Sequence, residues 1–199
     1  MDIQSPPPAK AKLLDAAKGL MLAKGYTATT VEEICAAAGL TKGSFFHYFK
    51  SKEDLGRAVL DYFIQTTQQA FRDAPFHKKR DPLQRVYGYV DFTIQMSQSP
   101  MAQHGCLLGN FAQELSDTHE QLRQSCCRHF KQWADGLQKD LELAKARHVH
   151  RPQLDTRSLA EHFIAVIEGA LILAKVRQDT SVVKESLGHF KRYLKSLFR

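Results

Sequence analysis

Lys42, Ser44 and His47 fall within one short helical stretch, Lys42 and Ser44 in its first turn and His47 one turn on. An ammonium, a hydroxyl and an imidazole grouped in this way can donate to base edges in a major groove. Lys42 suits guanine acceptors and Ser44 either kind of edge. Around them stand groups of the kind that grip phosphate and fix register: Thr30 at the head of the preceding helix, then Tyr48 and Lys52, with Thr41 a further expected DNA contact. Gly43 permits close backbone approach. Phe46 is read as packing or as van der Waals contact with sugar. Phe45 either touches a thymine methyl or packs on the first helix, and pattern alone leaves both readings open.

The elements that must position these groups are legible from caps and periodicity. Pro6-Pro7-Pro8 delays the start of a helix whose apolar positions Leu13, Ala16, Ala17, Leu20 and Met21 recur at helical spacing until Gly25 stops it. Thr30 with Glu33 three residues on predicts a capping box for a second helix, Val31 to Ala38. Gly39 fits the left-handed position that ends that helix, and Thr41 caps a third from Lys42 to about Phe49. Two short helices joined by a tight turn are the pattern of a helix-turn-helix. A fourth, long helix opens at Ser51 and runs to about Asp73. Further helical patterns cover roughly 82–98, 106–116, 120–147, 156–178 and 181–197. No run shows sustained strand alternation, so the expected fold is all-α. Residues 1–52 form the helix-turn-helix domain in this reading, and residues 53–199 a helical ligand-binding and dimerisation domain.

The run Thr30-Val31 to Lys52-Glu53-Asp54-Leu55, through Ala38-Gly39-Leu40-Thr41-Lys42-Gly43-Ser44-Phe45-Phe46-His47-Tyr48-Phe49, resembles the N-terminal signature of the TetR family of transcriptional regulators. The resemblance covers about Leu13 to Leu55. It departs from the pattern at Phe46, where the family usually has tyrosine, so one phenolic phosphate contact is lost. Membership would imply three N-terminal helices on operator DNA, a larger helical domain that takes a small molecule, and a homodimer formed by the last two helices.

The helix starting near Thr156 is apolar nearly all round, and such a helix must be covered on every face. Half of it is expected to pack on its own domain and half on a second subunit. Phe163, Ile167, Gly169, Ala170 and Leu171, with Phe190 and Leu194 of the last helix, are the expected dimer residues. An aromatic and methionine region, Phe63, Tyr87, Phe92, Met96, Phe111, Phe130, Trp133 and Phe163, is where an effector pocket is expected, although such positions also serve as plain core. Cys106 joins that set. Gly105-Cys106-Leu107 with Glu114 is similar to the electrophile-responsive N-ethylmaleimide reductase repressor branch of the same family. A helix start and nearby His104 both favour the thiolate, which makes Cys106 a candidate redox or electrophile sensor. The alternative is an inert, buried thiol.

Composition bounds these readings. The 199-residue chain carries a net charge of +7, which favours a polyanionic partner without locating it. Residues 1–60 are nearly neutral at +2, and residues 175–199 hold +5. Four irregularly spaced cysteines do not make a disulfide framework, no apolar run approaches the ~18 residues of a membrane span, and the N-terminus is not a signal peptide. A soluble cytoplasmic protein is expected, with no membrane partner. His148-Val149-His150 and Cys126-Cys127-Arg128-His129 contain metal-ligand types at spacings that match no established site, so no metal is expected. Paired carboxylates, nucleophile–base spacing and a cofactor loop are all missing, so neither cofactor nor enzymatic activity is expected. The sequence thus reads as a homodimeric, ligand-responsive repressor of a palindromic operator, released by a small molecule or by thiol modification. An all-α enzyme, or an activator with the same DNA-binding motif, is the alternative.

Overall fold

The computed structural model describes residues 6–148 and 153–198, and among these nine α-helices and two 3-10 turns account for the regular structure. The described residues contain no strand, and the fold is all-α. The helices are α1 (Pro8–Lys24), α2 (Val31–Ala38), α3 (Lys42–Tyr48), α4 (Lys52–Arg72), α5 (Pro82–Met96), α6 (Leu107–Leu115), α7 (Glu120–His148), α8 (Thr156–Arg177) and α9 (Ser181–Leu197). The 3-10 turns are Pro75–Lys78 and Pro100–His104.

Local chemistry sets most helix boundaries. Pro8 occupies the first turn of α1, where its missing N–H has no helical partner to lose. The Thr30 hydroxyl accepts from the Glu33 N–H at 3.2 Å while Glu33 accepts from the Thr30 N–H at 2.8 Å, which completes the capping box of α2. Gly39 ends α2 at φ 63°, and the Leu40 N–H returns to the Cys35 carbonyl at 2.9 Å. That pairing satisfies a carbonyl the helix leaves open, and it needs a residue free of a Cβ penalty. The Thr41 hydroxyl then accepts from the Ser44 N–H at 3.1 Å and starts α3. Asp81 caps α5 and Asp155 caps α8 in the same way.

The chain divides into two compact units. The first takes the N-terminal segment up to Thr66 together with Leu107–Cys127, so that α6 and the start of α7 belong with α1–α3. There α1 packs on α2, α3 and α6. Leu13, Met21, Ile34, Phe45, Leu55, Leu60, Leu107 and Phe111 are all fully buried. Each such side chain contributes roughly 1.5–3 kcal/mol. The second unit takes Thr67–Cys106 and the chain from Arg128 onward. Its core joins Val86 and Val90 of α5, Leu137 and Leu141 of α7, Phe163, Ile167 and Ala170 of α8, and Leu187, Phe190 and Leu194 of α9. Helices α4 and α7 each contribute to both units. No helix among the described residues is long and apolar enough to cross a membrane.

Helix α3 separates its two faces sharply. Phe45 is fully buried and Phe49 nearly so, whereas Phe46 is 58% exposed. Of the two roles open to Phe45, the structure adopts packing. Phe45→Ala is expected to cost about 3–5 kcal/mol in chemical denaturation, whereas Phe46→Ala should stay within about 0.5 kcal/mol of the parent.

Candidate nucleic-acid interface and effector region

The outward side of α3 carries Lys42, Gly43, Phe46 and His47, all exposed, with Ser44 and Tyr48 half-buried beside them. Thr30 and Thr41, also exposed, stand at the heads of α2 and α3. These residues share one unit, and several are already engaged within it. Lys42 pairs with Glu32 of α2, an exposed contact that raises the lysine pKa and lowers the carboxylate's. The Thr30 hydroxyl also meets Glu33 Oε2 at 3.0 Å. A hydrogen bond from Lys24 and the capping interactions with Thr30 hold the Glu33 carboxyl down at about 2. The Ser44 and Thr41 hydroxyls lie 3.2 Å apart, and the His47 ring stands edge-on to Tyr48 at 4.7 Å.

Lys52 has a different setting. Its Nζ donates to the carbonyls of Tyr26 (3.1 Å), Thr27 (3.4 Å) and Thr29 (3.0 Å) and sits 4.4 Å above the Tyr26 ring. From α6, Glu114 reaches the same turn. Its Oε2 accepts from the Tyr26 N–H at 2.9 Å and its Oε1 from the Thr27 N–H at 2.7 Å. Desolvation opposes the charge on Glu114, yet these bonds and Lys52 keep its pKa low. The Tyr26 ring packs edge-on against Phe111 and His119, and burial first, then Glu53 and Glu114, push its hydroxyl up to about 12. A Cβ at Gly25 (φ 89°) would stand 3.0 Å from Glu114 Oε2, and a Cβ at Gly56 would stand 3.0 Å from the Tyr26 ring. The α1–α2 turn is therefore fixed from α4 and α6. Sequence reading gave Glu114 no such role, because its partners lie 87 and 88 residues away.

The expected effector residues divide between the units. Phe63 and Phe111 belong to the first and the remainder to the second. There Trp133 donates to the Tyr89 hydroxyl at 2.7 Å, Phe130 stacks on Trp133, and Phe163 stands edge-on to both Tyr89 and Trp133. Phe71 continues the cluster to Phe92 at 5.0 Å and to Tyr89 at 4.8 Å. Tyr89, at its centre, was not among the expected residues; its place one turn before Phe92 is the sequence signal for it. Burial pushes its hydroxyl well above the ordinary range. Tyr87 lies under Lys191, and Met96 is exposed. Cys106 is half-buried immediately before α6, and its thiol hydrogen-bonds to Glu168 of α8. Burial raises Glu168 to about 7 against the pull of that thiol, and Glu168 Oε1 is buried without a partner among the described residues.

Of the expected dimer residues, Phe163, Ile167, Ala170, Leu171, Phe190 and Leu194 are built into the core of their own chain. Gly169 is exposed, in company with Ala165, Ile172, Leu173 and Val176 of α8 and Tyr193 of α9. No three metal-ligating side chains among the described residues could hold a metal ion. His148 is bonded to Asp81 at 2.8 Å, while Val149 and His150 lie outside the described residues.

A family model described as bacterial regulatory proteins, tetR family, matches residues 13–59, and one described as tetracyclin repressor-like, C-terminal domain, matches residues 82–190. The chain belongs to the TetR family. It is similar to the transcriptional regulator AcuR of Cereibacter sphaeroides, with 33% identity over 77% of this chain and 70% of the relative. It is also similar to the HTH-type transcriptional repressor DhaR of Mycobacterium sp. (strain GP1), with 29% identity over 90% and 89% of the two chains. The crystal structure of reduced NemR from E. coli superposes with a TM-score of 0.78 at 25% identity, covering 92% of this chain and 96% of that one. As a TetR-family protein the chain is a ligand-responsive, DNA-binding regulator, with α2 and α3 as its helix-turn-helix.

Because Glu32 competes for the ammonium that faces outward from α3, Glu32→Gln should tighten operator binding by about 2–5-fold in fluorescence anisotropy at low salt. Lys42→Ala should weaken it by about ten-fold or more.

Proposed function

We propose that this regulator is a homodimeric repressor that reads a palindromic operator with α3 and lets go when the second unit binds a small molecule or Cys106 is modified. The observation that carries the DNA reading is the outward face of α3. Lys42, Gly43, Phe46 and His47 are exposed there while Phe45 and Phe49 anchor the opposite side. In this reading Lys42, Ser44 and His47 meet base edges, whereas Thr30, Thr41 and Tyr48 meet the backbone. Lys52 serves the same surface by holding the turn ahead of α2. Residues 1–52 carry the operator contacts and residues 53–199 the effector and dimer functions.

The occupant of the exposed α8 face is a second copy of the chain. Ala165, Gly169, Ile172 and Val176 recur at helical spacing, with Val176 78% exposed. A palindrome requires two recognition helices set about 34–36 Å apart. Release follows when that spacing changes, because the two half-sites can then no longer be met together. DhaR and NemR are both named as repressors, which favours repression over activation for this chain.

Three measurements test the reading. Fluorescence anisotropy on the DNA flanking its own gene should find tight, salt-sensitive binding, and failure to bind any fragment sinks the repressor. Val176→Glu should turn a dimer into a monomer in light scattering and abolish operator binding; a parent that is already monomeric while bound to the operator overturns the dimer. Cys106→Ser should bind operator normally yet resist release by iodoacetamide, and unchanged release in that variant removes the thiol route.

A further inference from the structure

The pair formed by Cys106 and Glu168 is a partly buried polar contact with one carboxyl oxygen, Glu168 Oε1, shut off from solvent. Glu168 lies on α8 one turn from Ile164 and one turn from Leu171, both part of the buried core, and the 3-10 turn Pro100–His104 packs on the same helix. Of its two carboxyl oxygens, Oε1 is shut off from solvent and has no hydrogen-bond partner among the described residues. The carboxyl takes its hydrogen bond from the Cys106 thiol, a weak donor in a half-buried position that a small reagent can reach. Burial and the thiol govern the protonation of the carboxyl, and burial lifts it to about 7.

We propose that Glu168 is the readout of Cys106: alkylation of the thiol by a small soft electrophile strips the carboxyl of its donor and forces α8 to repack around it. With iodomethane, the sulfur attacks the methyl carbon, an S–C bond forms, the C–I bond breaks with loss of iodide, and the thiol proton passes to buffer. The resulting thioether has no hydrogen to donate. A buried carboxyl that has lost its partner then bears the full desolvation penalty, relieved by keeping a proton or by leaving the core. Glu168 acts in this scheme as a positioning residue, since it changes the packing of α8 without touching the reagent.

The proposal rests on the thiol-controlled release described above for its effect on DNA, but not for its effect on the protein itself. The test uses the full-length chain carrying Cys127→Ser, because Cys127 is exposed, whereas Cys35 and Cys126 are buried. Intact mass follows the addition of one methyl group from iodomethane, and thermal unfolding at pH 8 reads its consequence. Alkylation should lower Tm by about 2–4 °C or more with Glu168 present and leave it unchanged in the Glu168→Gln variant, whose amide buries no charge. Cys106→Ser retains a donor and takes up no reagent, so its Tm should not respond. Equal Tm losses in the parent and in the Glu168→Gln variant, after equal modification, overturn the proposal. If the Tm difference holds while alkylated protein still binds operator fully, Glu168 stands as the readout and thiol-controlled release fails. Before any alkylation, the raised carboxyl pKa makes the parent lose stability as pH rises from about 4.5 to 7. Glu168→Gln should therefore unfold at a higher temperature than the parent at pH 8 and at a similar one near pH 4.5. A parent that is equally stable at both, relative to the variant, contradicts the buried charge.

Discussion

The turn between α1 and α2 poses the constraint on which the first unit depends. Tyr26 and Thr29 are buried, so their backbone groups must find partners inside the protein. Helices cannot supply them, because the turn lies past the end of α1 and before the cap of α2. Glu114 supplies two acceptors for N–H groups and Lys52 donates to three carbonyls, one charge from α6 and the other from the start of α4. With the turn fixed in this way, the direction of α2 is fixed, and through the Gly39 corner so is that of α3. The side chains on the outward face of α3 thus take their orientation in part from Glu114 and Lys52.

Much of this architecture was legible in the chain because its signals are local. Thr30 with Glu33, Gly39 and Thr41 act within four residues of themselves, and the helix boundaries they predict agree with the structure to within a residue or two. Phe45 and Phe46 could not be told apart so readily, since adjacent aromatics on a two-turn helix leave its inward side ambiguous until α1 is in place. Pairings over long separations were not legible at all. Neither Glu114 with the α1–α2 turn nor Cys106 with Glu168 has a spacing that marks it. Helix α8 failed for another reason: a helix apolar nearly all round has no preferred side. Reading could say that it needed two partners but not which residues faced which, and Phe163, Ile167 and Ala170 face the core of their own chain.

Several polar groups in the second unit are closely matched. Trp133 and Tyr89 satisfy each other within an aromatic cluster, and Arg85 reaches Asp140 at 2.7 Å between α5 and α7. Such pairs fix which packing is adopted more than they add net stability, because desolvation offsets much of the attraction. Glu168 stands apart, with one oxygen buried and unmatched among the described residues and a thiol as the carboxyl's donor. A core that tolerates one incompletely matched carboxyl holds its native arrangement by a narrower margin at that point than elsewhere.

The division of α3 into a sealed face and an open one bears on how such regulators diversify. Phe45 and Phe49 discharge the folding obligations of the helix, and Phe46, 58% exposed, discharges none of them. A lineage can exchange the outward residues, for instance restoring a phenolic oxygen at position 46, without passing through unfolded intermediates. The identity of the outward residues is therefore uncoupled from the stability of the helix, and can be set by whatever that face meets.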